Sequence, residues 1–315
     1  MQVRKKLLTV AKIAVTVALV FWLIDRVDWR GVLLELSNVS WALLFVYVVL
    51  QLSGNLISAK KWQVIASFKT LHFTMKEGFF AYLTGAFINN FLPSTIGGDT
   101  YRGLWLAKRS GARAAAVSTV VFDRFMGLWT LALLALVLSP ILLPLADGSL
   151  PLAVTLAALA LFFVADLVIT YAYCQPWFHR CVALIPFHKV RRLLEEVVFY
   201  TKKHIWWRVS LWSALFIFIG IALSNFVLFR ALGSDIGFVP FLSVIFLVTI
   251  ISAVPLSINN IGIKEWAYVT FFALVGVSIE TAVTVALLSR FIQMLISFIA
   301  LPHYLRKENP EQGTL

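Results

Sequence analysis

The chain has 315 residues, 61% apolar and only 13% charged, with a mean hydropathy of +0.90, whereas soluble domains carry about a quarter charged residues. That excludes a water-soluble globular protein. The net charge of +12 does not argue for nucleic acid either, because so apolar a chain has too little polar surface to present a basic face, and a membrane protein is the better explanation.

A spanning helix needs about 20 apolar residues. In chain order, Leu7 to Ile24 is the first such stretch. It resembles a signal peptide but lacks a small-x-small cleavage site and runs into Asp25, Arg26 and Asp28, so it reads as a retained signal anchor. Trp41 to Ser58 is a second span; Val117 to Leu138, Leu150 to Tyr173, Val209 to Phe229 and Thr281 to Leu301 complete a set of six. Two further apolar stretches are shorter: Glu77 to Leu92 stops at Pro93, and Phe238 to Val254 stops at Pro255. As helices each reaches only about 24 to 26 Å, short of the roughly 30 Å of hydrocarbon. Cys174 and Cys181 are too few for a disulfide framework or zinc site and read as buried or free thiols.

Basic residues decide how the short stretches are counted. Lys and Arg cluster at the N-terminus, at 60–76, 102–113 and 180–208, and at the C-terminus, together 21 of the 27 positive charges; the segment from Ser139 to Ser149 has none. Placing these clusters in the cytoplasm makes Glu77 to Leu92 enter and leave on one side, as a re-entrant hairpin folded at Leu92 to Gly98. The second short stretch, broken at Pro255 to Gly262, is then re-entrant from the opposite face. The fold class expected is an all-α polytopic membrane protein of about six spanning helices plus two re-entrant hairpins, eight hydrophobic segments in all, with both termini cytoplasmic. Eight plain spans are the alternative, which leaves one basic cluster outside.

The two halves share short patterns in the same order. Pro93-Ser94-Thr95-Ile96 pairs with Pro255-Leu256-Ser257-Ile258, Arg124-Phe125-Met126 with Arg290-Phe291-Ile292, and Asn55 with Asn225, at offsets of 162, 166 and 170. They suggest an inverted repeat, span–hairpin–span in each half, which is a transporter architecture with its site where the broken helices meet; chance coincidence is the competing explanation. The expected organisation is an anchor helix and loop (1–40), a first repeat (41–138), a linking span and basic amphipathic segment (139–208), a second repeat (209–305) and a tail (306–315).

The segment from Asn89 to Arg102 carries the most chemistry. Pro93 and the pair Gly97-Gly98 interrupt a helix and free backbone amides, which lipid tolerates only inside protein or along a wet cavity. Amides at the start of the helix near Gly98 would favour an anion such as a lipid phosphate; equally, the glycines could serve close packing and Asp99 could cap the helix. Arg124 and Arg290 fall about eight and ten residues inside their spans, where a charge costs at least about 2.5 to 3.5 kcal/mol and is paired or functional. Polar residues recur at helical spacing in three stripes: Tyr47, Gln51, Asn55 and Ser58; Thr119, Asp123, Gly127 and Thr130; and Arg290, Gln293 and Ser297. Three stripes imply a shared polar interior. Asp123 is the nearest candidate counter-ion for an arginine, either as a structural lock or with the arginines left to grip a phosphate.

After Pro255, Asn259, Asn260, Gly262, Lys264 and Glu265 offer donors, a turn glycine and an ion pair. Asp166 reads as a helix-interface residue. The stretch from Lys189 to Arg208 alternates basic and apolar residues, consistent with an amphipathic helix on anionic headgroups or with a simple linker. Nucleophile-elbow, zinc-protease, Walker and dinucleotide signatures are absent from the sequence, so a non-enzymatic protein without cofactor or metal is expected. The candidate substrate-binding residues are Asn89, Asn90, Pro93, Gly97, Gly98, Asp99, Arg102, Asp123, Arg124, Pro255, Asn259, Gly262, Glu265, Arg290 and Gln293.

Across Asn89, Leu92-Pro93, Gly97-Gly98-Asp99 and Arg102, supported by Asp123-Arg124 and by Pro255, Gly262 and Glu265, nearly the whole chain resembles the lysylphosphatidylglycerol synthase transmembrane region family of flippase-like proteins. Asn259 and Asn260 stand where that family is usually richer in glycine. The resemblance implies an inner-membrane protein, bacterial or archaeal, that moves a phospholipid or polyprenyl-linked lipid between leaflets, its partners being membrane lipids with an anionic headgroup. With fourteen residues after the last span, no aminoacyl-transferase domain and no synthesis of aminoacylated lipid are expected. Without an ATP motif, an ion gradient or the lipid gradient would drive movement. The alternative is a non-catalytic partner subunit of a lipid- or glycan-modifying transferase system, and a homo-oligomer is compatible with either.

Overall fold

In hydrocarbon, backbone polar groups must be satisfied within helices or closed barrels, and this chain uses helices; no strand occurs among the described residues. The computed structural model describes residues 2–92, 96–145, 150–173, 205–254 and 257–302. Pro93, Pro255, both cysteines, the tail and most of the basic linker lie outside them. The helices are α1 (Gln2–Arg26), α2 (Trp29–Ser37), α3 (Trp41–Ser67), α4 (Met75–Phe91), α5 (Ile96–Ser110), α6 (Arg113–Leu138), α7 (Leu150–Tyr173), α8 (Trp206–Phe216), α9 (Ser224–Ala231), α10 (Phe238–Ala253), α11 (Ile263–Phe272) and α12 (Ile279–Ser297). A π-helical segment, Ile217–Leu223, joins α8 to α9.

Four helical stretches are long and apolar enough to cross a membrane: Trp41–Ser67, Arg113–Pro144, Trp206–Ala231 and Ile279–Ala300. The helices α1 and α7, with 25 and 24 residues, have the length as well. By contrast α4, α5, α10 and α11 have 17, 15, 16 and 10 residues, or about 26, 23, 24 and 15 Å at 1.5 Å per residue. The chain breaks where its prolines fall, between Phe91 and Ile96 and between Ala253 and Ile258. Large apolar side chains such as Trp41, Phe45, Leu161 and Leu211 face outward, as contact with lipid requires.

Local chemistry sets the helix ends. Thr74 and Glu77 form a reciprocal capping box at the start of α4, satisfying two orphan donors of the first turn. Glu77 also pairs with Arg109 near the end of α5, so the outer ends of α4 and α5 are tied together. Around them Trp62, Ala66, Leu71, Phe73, Leu106 and Ala116 form one buried cluster. It gathers the C-terminal end of α3, the start of α4, the end of α5 and the start of α6. At the other end of α3, the Ser40 amide donates to the Ala231 carbonyl at 2.8 Å. There Phe229 packs on Phe241 and Phe272, at ring-centroid distances of 5.6 and 4.5 Å, joining the end of α9, the start of α10 and the end of α11.

Two glycine contacts fix how closely the halves approach. A Cβ on Gly54 of α3 would stand 2.8 Å from the Gly220 Cα, and one on Gly220 would stand 3.0 Å from the Gly54 Cα. The π-helical segment carries Gly220, and the Ser224 hydroxyl donates to the Gly220 carbonyl at 2.7 Å. Irregular helix of this kind recurs at functional sites, and periodicity gave no sign of it. In the other contact, a Cβ on Gly98 would meet the Gly85 carbonyl oxygen at 2.2 Å, so α4 and α5 cross backbone on backbone. The close-packing role read for Gly98 is thus what the fold uses.

Trp206, expected on an amphipathic surface helix, begins α8 and packs edge-on against Phe122, Phe125 and Trp129. Trp207 of the same expected segment is exposed, while residues 189–204 and the side chain of Asp166 lie outside the described residues.

Candidate functional site

The helix breaks place their polar residues against the interior faces of α3, α6 and α12. Asp99, in the first turn of α5, sits one turn before Arg102, whose Nη2 lies 2.6 Å from Asp99 Oδ1. Asp99 Oδ2 accepts from Arg124 Nε of α6 at 2.6 Å. Arg102 turns its other edge to Asp123, Nη1 to Oδ2 at 3.2 Å, so the motif arginine rather than Arg124 is the partner of Asp123. That carboxylate also receives the Tyr82 hydroxyl at 2.5 Å and Lys61 Nζ at 3.0 Å. The Arg102 guanidinium lies 3.9 Å from the Tyr82 ring centroid, a cation–π contact in a desolvated setting.

Lys61 and Arg102, counted from the sequence among the cytoplasmic charges, are both buried within the protein. For Lys61 the physical reason is helix length. The span read to Ser58 continues to Ser67, which carries Lys61 onto the face of α3 that meets Asp123. Buried ions cost several kcal/mol each unless paired with good geometry, and Asp123 supplies that pairing to two cations at once. Arg124 differs. Its side chain is 56% exposed, Asp99 engages its Nε, and its Nη groups donate to no described residue.

The second half repeats part of this arrangement. Glu265, in the first turn of α11, accepts from the Gly262 amide at 2.7 Å and from Arg290 Nη2 at 2.9 Å and Nε at 3.2 Å. Arg290 also donates to the Asn259 and Asn260 carbonyls at 3.0 and 3.1 Å. Those carbonyls are available because Asn259 and Asn260 adopt left-handed φ of 47° and 57° and Gly262 a φ of 85°. Asparagine tolerates that region better than other non-glycine residues, which explains how it stands where glycine is usual. Arg290 is consequently a clamp on the second break, whereas Arg124 keeps donors free. The two carboxylate–arginine pairs have the same sequence separation, 25 residues.

Of the remaining sequence candidates, Asn89 accepts the Gly98 amide at 2.7 Å, so one of the amides expected to attract an anion is satisfied internally. Asn90 reaches Ser297 of α12 at 2.8 Å. Gly97 lies against Leu92, and Gln293 donates to the Tyr47 hydroxyl at 3.3 Å. In the stripe on α3, Tyr47, Gln51 and Ser58 are buried and Asn55 is half-buried; Gln51 donates to Tyr47, Gly220 and Ser224, which locks α3 to the π-helical segment.

Two adjoining cavities occupy the space between the breaks. One of about 570 Å³ is walled by Asp99, Arg124, Asn260, Lys264, Tyr268 and Gln293 among others. The other, of about 410 Å³, is walled by Asn55, Lys61, Tyr82, Arg102, Asp123 and Arg124, and the two share Arg124, Thr249 and Gln293. Beside them an apolar groove of about 660 Å³ runs between α6, α7, α10 and Trp266 of α11. Leu128 and Ala253 belong to all three walls. Lys61, Tyr82 and Lys264 were not in the candidate set; Lys264 was read among the donors and the ion pair after Pro255, but Glu265 pairs with Arg290 and Lys264 meets the Ser289 hydroxyl. No group of histidine, cysteine or carboxylate residues suited to a metal occurs among the described residues.

No curated protein matches the chain. A polar interior between two helix breaks, in a bundle with an apolar exterior, marks a multi-pass membrane protein in contact with lipid. The chain belongs to the lysylphosphatidylglycerol synthase TM region family, whose pattern it matches over residues 9–300.

Proposed function

We propose that this protein is a lipid flippase or lipid-binding transporter of a bacterial or archaeal cytoplasmic membrane, with no catalytic step of its own. The observation that carries the reading is the charged cavity pair walled by both helix breaks and continuous with an apolar groove. A lipid needs both environments at once: cationic donors for a headgroup phosphate and an apolar wall for its chain. Arg124, with its free Nη groups, is the phosphate donor in this reading, and Arg290 holds the second break in shape.

The architecture proposed with it is six spans and two re-entrant hairpins in an inverted repeat, both termini in the cytoplasm. Several observations support it. Asp99 and Glu265, Arg124 and Arg290, and Gly54 and Gly220 each stand 166 positions apart, and the two glycines touch reciprocally, as equivalent residues do across a two-fold axis. The packing is exchanged between halves, with α10 lying on α6 and α4 on α12. Both outer ends of the α4–α5 pair gather at one end of α3, and those of the α10–α11 pair at the other. Broken helices meeting at a pseudo-two-fold are where transporters bind substrate.

Reconstitution tests the function. Liposomes holding the protein are expected to transfer a labelled anionic phospholipid between leaflets faster than empty vesicles, and Arg124→Ala is expected to slow that transfer at least tenfold. Transfer no faster than in empty vesicles, at any lipid tried, would favour the partner-subunit reading.

A further inference from the structure

The two halves differ at several of the charged positions that face the cavity: at the 166-residue offset Lys61, Arg102 and Lys264 stand against Val227, Tyr268 and Gly98, and an aspartate stands against a serine. Asp123 of the first half and Ser289 of the second stand at the same 166-residue offset as the paired arginines. Asp123 neutralises Lys61 and shares Arg102. In its place Ser289 offers Lys264 only a hydroxyl, Nζ to Oγ at 2.7 Å, with the Tyr268 ring 5.6 Å away. No carboxylate lies within ion-pair distance of Lys264 among the described residues; the adjacent Glu265 is taken by Arg290. The joined cavities are therefore lined by four cations, Lys61, Arg102, Arg124 and Lys264, against two carboxylates, Asp99 and Asp123. Four cationic side chains thus face two carboxylates across one connected space. Its cations with donors to spare, Arg124 and Lys264, come one from each half.

We infer that the headgroup taken by this cavity carries two negative charges on a terminal phosphate or diphosphate, so that the ligand is a phosphomonoester or diphosphate lipid rather than a phosphodiester or zwitterionic one. This rests on the lipid-transport reading and sharpens it. A phosphodiester brings one negative charge and leaves one of the two cations unmatched in a low-dielectric cavity, where an unpaired charge is costly. A terminal phosphate matches both and presents three acceptor oxygens, enough for the Arg124 Nη fork and the Lys264 ammonium together. The adjoining groove supplies the chain site: among its described lining residues the one hydroxyl, that of Thr155, is turned back onto the Pro151 carbonyl at 2.7 Å.

Binding of short-chain lipids to the full chain in a non-ionic detergent tests this at pH 7, above the second phosphate ionisation near pH 6. The probes are dioctanoyl phosphatidic acid, dioctanoyl phosphatidylglycerol, dioctanoyl phosphatidylcholine and inorganic pyrophosphate. Phosphatidic acid is expected to bind at least tenfold more tightly than phosphatidylglycerol, about 1.4 kcal/mol, and phosphatidylcholine more weakly still. Lys264→Gln is expected to remove that preference, and Lys264→Arg to keep it, which separates a charge effect from a folding defect. Pyrophosphate is expected to bind more weakly than phosphatidic acid; if it binds as tightly, the chain contributes nothing and the ligand is a soluble phosphate. Equal affinity for phosphatidic acid and phosphatidylglycerol, or a preference that survives Lys264→Gln, would overturn the inference while leaving lipid transport standing. Binding of none of the lipids would remove both.

Discussion

The buried carboxylate of Asp123 gives the sharpest quantitative test. It holds Lys61 at 3.0 Å, Arg102 at 3.2 Å and the Tyr82 hydroxyl at 2.5 Å, and the side chains of the three charged residues are only 3–5% exposed. Asp123→Ala would remove the carboxylate that holds buried Lys61 and leave buried Arg102 with Asp99, which is shared with Arg124. Breaking a buried pair in this way costs about 3 to 5 kcal/mol, a large part of the roughly 5 to 15 kcal/mol that stabilises an ordinary domain. Adding Lys61→Met removes the cation most dependent on Asp123 and replaces it with an apolar side chain of similar length. Buried pairs exchanged for well-packed apolar residues are often neutral, so the double variant is expected to recover about 1 to 3 kcal/mol, appearing as a coupling energy in the cycle. Equilibrium unfolding in mixed micelles, followed by the fluorescence of the buried Trp62 that stacks against this cluster, measures all four corners. An Asp123→Ala variant within about 0.5 kcal/mol of the parent would refute the assignment of Asp123 as the counter-ion holding α3, α5 and α6 together.

Other outcomes follow from single contacts. Gly98→Ala drives a methyl group into the Gly85 carbonyl, 2.2 Å from the new Cβ; backbone cannot move aside cheaply, so a loss of at least about 1 to 3 kcal/mol is expected in the same unfolding assay, together with loss of lipid transfer. Gly54→Leu is expected to do the same at the Gly220 contact, and a fully active, equally stable variant would contradict the close approach of the two halves. Arg124→Gln and Arg290→Gln should separate. The first breaks a half-exposed pair worth about 0 to 1 kcal/mol yet slows transfer; the second strands the buried Glu265, costs about 3 to 5 kcal/mol and is detected by unfolding before any transport assay. In a cysteine-free background, Thr70→Cys and Ala112→Cys are both expected to react with a membrane-impermeant thiol reagent from the cytoplasmic side, and labelling of one of them from outside alone would make α4 and α5 true spans.

What periodicity and composition could read here was the order and kind of the elements: the long apolar helices, the two interrupted segments and three polar stripes appear near the predicted bounds. Depth was not readable. Lys61 sits beside Lys60 and Arg102 six residues before Lys108, so each reads as part of a basic cluster until its burial is seen. The π-helical segment was equally hidden, because Ile217–Leu223 is an unremarked apolar run whose irregularity comes from the approach of Gly54 and from Ser224, not from its own side chains. Lys264 was the most consequential omission from the candidate set. Its meaning depends on Ser289, which is ordinary in isolation and informative only once Asp123 is recognised as the residue at the corresponding place. In the proposed repeat the pairs that match, Asp99–Arg124 and Glu265–Arg290, hold the two breaks in the same way, and the exchange of aspartate for serine gives Lys264 a hydroxyl where Lys61 has a carboxylate.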